Sequence, residues 1–209
     1  MRRLSNNQNG FGGDLRYGEA DGLAGADKIC TEIAESSMAG SSAKVWRAFL
    51  STTAPVNAAD RVGNGPWYDR IGRLVADSKA NLIQTRPKAD AAIANDLPNE
   101  NGTPNHQNVD NHDVLTGSTT AGQIGNATTT STCNDWTSTS VSGAKPIIGH
   151  SWPRSGGGGG GDSAAHWINA HTAAGCAASV NLSTSMGGGS GGVGDGGGYG
   201  AIYCFALSP

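Results

Sequence analysis

Gly200-Ala201-Ile202-Tyr203-Cys204-Phe205-Ala206-Leu207 is an apolar segment close to the C-terminal end of the chain. Its aliphatic and aromatic residues predict a β-strand. A lone strand is not stable in water and nothing after residue 207 supplies a partner, so we expect this segment to return to the main sheet. The glycine-rich ranges 156–161 and 187–198 are therefore predicted to be loops of one domain and not linkers between two.

A helix is predicted to follow Asp21-Gly22. Apolar residues recur there at steps of three and four, Asp21 is available as the N-cap, and the helix is expected to end near Gly40. The following range, residues 44–51 (KVWRAFLS), is rich in strand formers and predicts a strand in the core.

Residues 63–76 (GNGPWYDRIGRLVA) predict a β-hairpin, with strands at Trp67-Tyr68 and at 73–75. Further strands are predicted at 114–116 and around Trp136. Short helical turns are predicted at 57–61, 79–83 and 89–94. Asn, Pro, Asp and Gly dominate residues 95–108, which indicates an irregular loop.

The overall composition points to an economical core with long loops. Of 209 residues, 36% are hydrophobic, 15% are charged and 33 are glycine. The formal charge of −3 offers no attraction for phosphate backbones, so a nucleic-acid partner is not expected. No range reaches the roughly 20 apolar residues of a membrane span, and Met1-Arg2-Arg3-Leu4 leads into polar residues, not an apolar signal core.

Four cysteines, Cys30, Cys133, Cys176 and Cys204, contain no C-x-x-C pair and so lack the usual spacing of zinc knuckles and redox motifs. Two disulfides are the favoured interpretation over four buried thiols, and the residues leave all three pairings open. Disulfides require an oxidising compartment, so we expect a secreted or cell-surface, extracytoplasmic protein.

The order of these features resembles the C-type-lectin-like superfamily, and within it the endostatin-like branch. The most specific match is Val45-Trp46-Arg47-Ala48-Phe49-Leu50-Ser51 followed by Ala59-Asp60-Arg61. Weaker matches are Val114-Leu115-Thr116-Gly117-Ser118, Cys133-Asn134-Asp135-Trp136, Ala174-Gly175-Cys176 and Ile202-Tyr203-Cys204. These matches extend over about residues 22 to 207, although the loops between them differ.

The resemblance implies an α+β, C-type-lectin-like fold: a small, twisted, mostly antiparallel sheet with one or two flanking helices, long loops and two disulfides. It places a single domain at residues 21–209, after a polar N-terminal segment at 1–20. It also implies a nested pairing, Cys30 with Cys204 and Cys133 with Cys176.

Calcium is the cofactor that the resemblance suggests, because lectins of this superfamily hold it with loop oxygens. The predicted metal ligands are Glu100, Asp110, His112 and Asp113, although the lectin motifs Glu-Pro-Asn and Trp-Asn-Asp are not present as such. A transition metal is the second hypothesis: zinc could collect His and Asp ligands from two regions, one with His106 and His112 and the other with His150, His166 and His171. The five-residue step from His166 to His171 suits neither a strand face nor a helical pair.

A binding role is predicted in preference to catalysis. Gly188-Gly189-Ser190-Gly191-Gly192 satisfies G-x-S-x-G but lacks the strand and helix of a nucleophile elbow, so a secreted hydrolase is the least favoured class. We expect a lectin-like module that binds a glycan or a cell-surface protein through loops 95–113 and 134–171, with Trp152, Asn134, Asp135 and His150 as contact residues. The alternative is a self-assembling subunit of a surface layer or extracellular filament.

Overall fold

The computed structural model describes residues 10–105, 110–125, 128–153, 165–183 and 191–207. His106, the glycine range 156–161, the serine of G-x-S-x-G at 190 and the glycines at 187–189 lie outside these ranges. Over the described residues the chain is an α+β structure with small, mainly antiparallel sheets, few helices and two disulfides.

The regular elements are short, apart from the first helix. The helices are α1 Gly22–Ser37, α2 Ala58–Arg61, α3 Lys79–Leu82 and α4 Ala91–Asn95. The strands are β1 Trp46–Ala48, β2 Trp67–Tyr68, β3 Leu74–Ala76, β4 Asp113–Leu115, β5 Ile147–His150, β6 His171–Thr172, β7 Ala201–Ile202 and β8 Cys204–Ala206. The predicted first helix, the helical turns, the hairpin and the strand at 114–116 are confirmed.

Helix α1 begins at the predicted cap, where the Asp21 carboxylate accepts a hydrogen bond of 2.8 Å from the Ala24 amide. Its apolar face carries Ala26, Ile29, Cys30 and Ile33, and all four are buried. That face packs against β1 and β8, so the helix covers the small sheet that these two strands form.

The C-terminal segment was predicted to pair with the main sheet. It pairs with two sheets. Ala201 and Ile202 pair in parallel with β4 in a four-stranded sheet of order β6-β5-β4-β7. Two residues later, β8 pairs antiparallel with β1, with Cys204 opposite Ala48. Tyr203 lies between them and its carbonyl accepts the Phe49 amide at 2.9 Å.

The nested disulfides implied by the resemblance are both present. Cys30 on α1 is bonded to Cys204 on β8, and Cys133 is bonded to Cys176. The described cysteines include none that is free. Two disulfides are compatible with an oxidising, extracytoplasmic compartment.

Residues 10–15, which precede the predicted start of the domain, pack against the core. Phe11 and Leu15 are buried in the core that contains α1. The Phe11 amide donates to the Tyr199 carbonyl at 2.9 Å, and the Leu15 amide donates to the Trp136 carbonyl at 2.9 Å. Within the segment that composition marks as polar, these two apolar side chains are enough to bind residues 10–15 to the domain.

The strand predicted around Trp136 is wrong. Residues 133–136 form one left-handed turn, with φ of 50°, 55°, 53° and 64°. The turn is held by its ends, because Cys133 is in the inner disulfide and the buried Trp136 indole donates to the Ser51 carbonyl at 2.9 Å. Asn134 and Asp135, the residue types that tolerate this conformation best, occupy its middle.

No helix in the described part of the chain is long and apolar enough to cross a membrane.

Removing the outer disulfide should destabilise the protein more than removing the inner one. The outer bridge spans 174 residues and the inner bridge 43. In the chain-entropy model these loops correspond to about 5 and about 4 kcal/mol of stability. The double variants Cys30→Ala/Cys204→Ala and Cys133→Ala/Cys176→Ala should therefore differ by about 1 kcal/mol in urea unfolding. If the inner-bridge variant lost more unfolding free energy than the outer-bridge variant, the expected order of the two bridges would be wrong.

Candidate metal centre

The register of the four-stranded sheet brings three polar side chains to one place. Asp113 on β4 lies directly opposite His150 on β5. His171 on β6 lies opposite Ile148, which is two residues before His150 and so shares its face. Side chains on one face of neighbouring strands are within contact distance. His112, which immediately precedes β4, adds a fourth polar side chain.

Three imidazoles converge on a single carboxylate oxygen of Asp113. The Asp113 Oδ1 atom lies 3.2 Å from His112 Nε2, 3.7 Å from His150 Nε2 and 3.0 Å from His171 Nε2. All four ligand atoms lie within 4.8 Å of one another. Four donors on one zinc ion, each at about 2.05 Å, would be about 3.3 Å apart in a tetrahedral arrangement. The distances from the three nitrogens to Asp113 Oδ1 are close to that value, and the other separations, at up to 4.8 Å, would have to shorten for all four atoms to share one small ion.

The contacts of the outer nitrogen, Nδ1, determine which ring nitrogen carries the hydrogen in two of these imidazoles. His112 Nδ1 bonds to Asp110 Oδ1, and His171 Nδ1 lies 3.1 Å from the Thr172 carbonyl oxygen. A carbonyl or a carboxylate oxygen only accepts, so both Nδ1 atoms carry a hydrogen. In a neutral imidazole the Nε2 atom is then a bare lone pair.

This assignment makes the inner contacts unfavourable unless a cation is present. Two Nε2 lone pairs face Asp113 Oδ1, which is itself an acceptor. Among the described residues none donates a hydrogen bond to Asp113 Oδ2, although that atom is buried. Either a metal ion or additional protons on the imidazoles must lie between these atoms.

The negative charge of the site also calls for a cation or for additional protons. Asp110 and Asp113 are both buried, and within the described ranges their ion-pair partners are histidines. Two buried carboxylates are costly without compensation. One divalent cation bound by three neutral imidazoles would neutralise both.

The backbone of two glycines, Gly196 and Gly197, closes the site on one side. A Cβ atom on Gly197 would lie 2.5 Å from Cε1 and 2.6 Å from Nδ1 of His112, and a Cβ atom on Gly196 would overlap Asp113 Oδ2. The Gly197 carbonyl accepts hydrogen bonds from the amides of His112 (3.0 Å) and Asp113 (2.8 Å). Glycine is therefore required at 196 and 197 because the backbone lies directly against the ligands.

Arg86 fixes the backbone at His150. Its guanidinium donates to the carbonyls of His150, Ser151 and Ala94, each at 2.6 Å. Burial lowers the pKa of Arg86, but an arginine remains charged at this depth. The cation thus ties the end of β5 to the end of α4.

His166 has a different role from the four converging residues. Its Nδ1 atom accepts the Ile168 amide at 3.1 Å. Burial, and to a lesser extent the charge of Arg86, lowers the pKa of His166, which favours the neutral ring that this contact needs. His166 therefore supports the local turn.

The predicted metal ligands separate into three groups. His112 and Asp113 are in the converging cluster, and Asp110 bonds to the outer nitrogen of His112. Glu100 lies elsewhere, in a turn where its carbonyl accepts the Ser37 hydroxyl at the end of α1.

The predicted contact residues are also dispersed. His150 belongs to the cluster, and Trp152 is 8% exposed with its ring centroid 5.2 Å from that of His112. Asn134 is exposed on the left-handed turn, while the Asp135 carboxylate accepts from the amide (2.8 Å) and the hydroxyl (2.6 Å) of Thr53. Trp152 is thus a wall of the histidine cluster and not an exposed stacking surface.

The sequence offered His150 and His171 among five candidate histidine ligands of a transition metal, but it did not single them out or place them beside Asp113. The three residues are far apart in sequence, and only the strand register aligns them. Each lies at the end of a short strand, which is the one signal in the sequence that could have suggested a shared edge.

No protein-family model matches this chain, and no curated protein sequence matches it either.

Substituting Gly197 should damage the site beyond the cost of backbone strain. Gly72, which has φ of +84° and open space around its Cα, provides the matched control. Gly72→Ala should cost about 1–2 kcal/mol for the left-handed backbone alone. Gly197→Ala should cost about 1–3 kcal/mol more, because its methyl group overpacks against His112. Equal losses in urea unfolding for the two variants would contradict the close approach.

Proposed function

We propose that this protein is an extracytoplasmic binding module whose loops are held by one divalent transition-metal ion at His112, Asp113, His150 and His171. The observation that carries this proposal is the approach of His112 Nε2 (3.2 Å) and His171 Nε2 (3.0 Å) to one buried oxygen of Asp113, while both outer Nδ1 atoms lie against oxygen acceptors. A metal ion turns these repulsive contacts into shared coordination.

Zinc is the ion that best suits these ligands. Imidazole nitrogen and one carboxylate oxygen are its usual donors, and four protein ligands make the closed shell of a structural zinc site. Calcium prefers six to eight oxygen donors, which this cluster of three imidazoles does not offer. The proposal therefore replaces calcium with zinc, and replaces Glu100 with His150 and His171 as ligands.

Asp110 is proposed to act on the metal through His112. Its carboxylate accepts the Nδ1 proton of that ring and so keeps Nε2 directed inward as a lone pair. Carboxylate–histidine–metal arrangements of this kind orient the ring and raise its basicity.

The proposed role of the ion is to hold loops together on a stable scaffold. Its ligands come from the start of β4 and the residue before it, the end of β5 and the edge strand β6. Residues 196–198 lie behind them. The scaffold below is held by α1 and the outer disulfide. Polar loops on such a scaffold are the usual place for recognition, so we propose a glycan or a cell-surface protein as the ligand and a C-type-lectin-like fold as the framework.

Purified protein should contain one equivalent of zinc by elemental analysis. Zinc at 100 times its Kd should stabilise the folded protein by about 2.7 kcal/mol, measured as a shift in the urea midpoint. His112→Ala and His150→Ala should abolish both the zinc and the shift, since each removes a buried ligand. Asp110→Asn should weaken zinc binding by about 10- to 100-fold.

His166→Asn is the matched control for these variants. It removes an imidazole but keeps an acceptor near the position of Nδ1, so zinc content should not change. Loss of zinc in this variant, or calcium in place of zinc in the native protein, would contradict the proposed ligand set.

Recognition should depend on the bound metal. On glycan and cell-surface protein arrays, the zinc-loaded protein should bind a ligand that the chelated protein no longer binds, because removal of the ion frees the loops. Absence of binding on every array, together with concentration-dependent association in light scattering, would instead favour the alternative of a self-assembling surface subunit.

A further inference from the structure

The four side chains of the metal centre are not equally accessible. The side-chain exposure is 0% for Asp113, 2% for His112 and 5% for His150, but 36% for His171. The solvent therefore reaches the centre on the side of His171. An ion bound here would have three ligands inside the protein and one at its surface.

The three buried ligands are fixed from several directions. His112 is bonded to Asp110, and its ring packs edge-on against His150 at 4.3 Å and against Trp152 at 5.2 Å between centroids. The His150 backbone is held by the His166 carbonyl, which accepts its amide at 3.0 Å, and by Arg86, which donates to its own carbonyl. Asp113 lies within β4, between two paired strands.

His171 differs from the three buried ligands in its exposure and its position, although its ring also lies 5.0 Å from that of His150. It is on β6, a two-residue strand at the edge of the four-stranded sheet. Its Nδ1 contact is to the carbonyl of its own neighbour, Thr172, so this bond moves with the residue. Rotation of this side chain into solvent would disturb less packing than rotation of any other ligand.

The three buried ligands already form a recognised coordination unit. Two histidines and one carboxylate, here His112, His150 and Asp113, hold a divalent metal while leaving further positions open. With Asp113 as its one anionic ligand, the coordinated ion keeps a formal charge of +1, which Asp110 balances only through the His112 ring. That charge favours an anionic oxygen donor, for which a carboxylate is the simplest case.

We propose that His171 is the exchangeable ligand of the metal centre, and that its coordination position receives a carboxylate of the bound molecule. This inference rests on the proposed metal site and names the chemistry by which that site recognises a partner. The recognition surface then lies at the edge of β6, and the three buried ligands, His112, His150 and Asp113, retain the ion.

Cobalt(II) tests the inference, because its visible absorption reports coordination number and ligand exchange. The wild-type protein, His171→Ala and His150→Ala are each titrated with Co²⁺, and acetate or imidazole is then added. We expect His171→Ala to retain Co²⁺ with a loss of affinity about ten times smaller than that of His150→Ala, which corresponds to about 1.4 kcal/mol. Acetate should change the spectrum of the wild-type and His171→Ala proteins, and imidazole should restore a wild-type-like spectrum in His171→Ala.

Two results would overturn the inference. One is a loss of Co²⁺ affinity in His171→Ala as large as that in His150→Ala. The other is a bound-Co²⁺ spectrum that neither acetate nor imidazole alters. Failure of the metal site itself has a separate signature, namely that the wild-type protein binds neither Co²⁺ nor Zn²⁺. His166→Asn again serves as the control and should behave as the wild type in every titration.

Discussion

The pairing of residues 201–206 with two different sheets is the constraint on which the rest of the structure depends. β7 lies beside β4, and β8 lies beside β1 after only one intervening residue. Cys204 adds a covalent bond from the same segment to α1. The segment therefore fixes the position of the first helix relative to the four-stranded sheet, and with it the position of the strands that carry the histidine cluster.

The histidine cluster is costly for a structure that has so few large apolar residues. Two buried carboxylates and three imidazoles occupy a place where a domain of this size would ordinarily pack aliphatic side chains. Neighbouring residues stabilise the cluster. Gly197 gives its carbonyl to two ligand amides, Arg86 holds the backbone of His150, and Trp152 covers the ring of His112. Such investment in polar groups is typical of a site with a function.

Local signals in the sequence predicted the elements that depend on local physics. The Asp21 cap and the three-to-four spacing gave α1, and the Gly72 turn gave the hairpin of β2 and β3. Trp136 was misassigned because an aromatic residue after a cysteine is typical of strands, whereas the left-handed turn is imposed by distant partners, Cys176 and Ser51. Propensity carries no information about such partners.

The candidate site could be predicted only in part for the same reason. His112 and Asp113 are adjacent and were identified from composition, together with Asp110. His150 and His171 join them through a register between β4, β5 and β6 that spans 58 residues from Asp113 to His171. A shift of one residue in that register would have turned these side chains to the opposite face, and no feature of the single sequence fixes it.

The late position of β7 and β8 has a consequence for biogenesis. β4 gains its parallel neighbour only when residues 201 and 202 emerge, and β1 waits for residues 204–206, which are more than 150 positions further along the chain. Neither sheet can be completed before residues 201–206 have been synthesised. The Cys30–Cys204 disulfide has the same dependence: it can form only after residue 204 has been synthesised, and its formation from two thiols also needs an external oxidant that accepts two electrons.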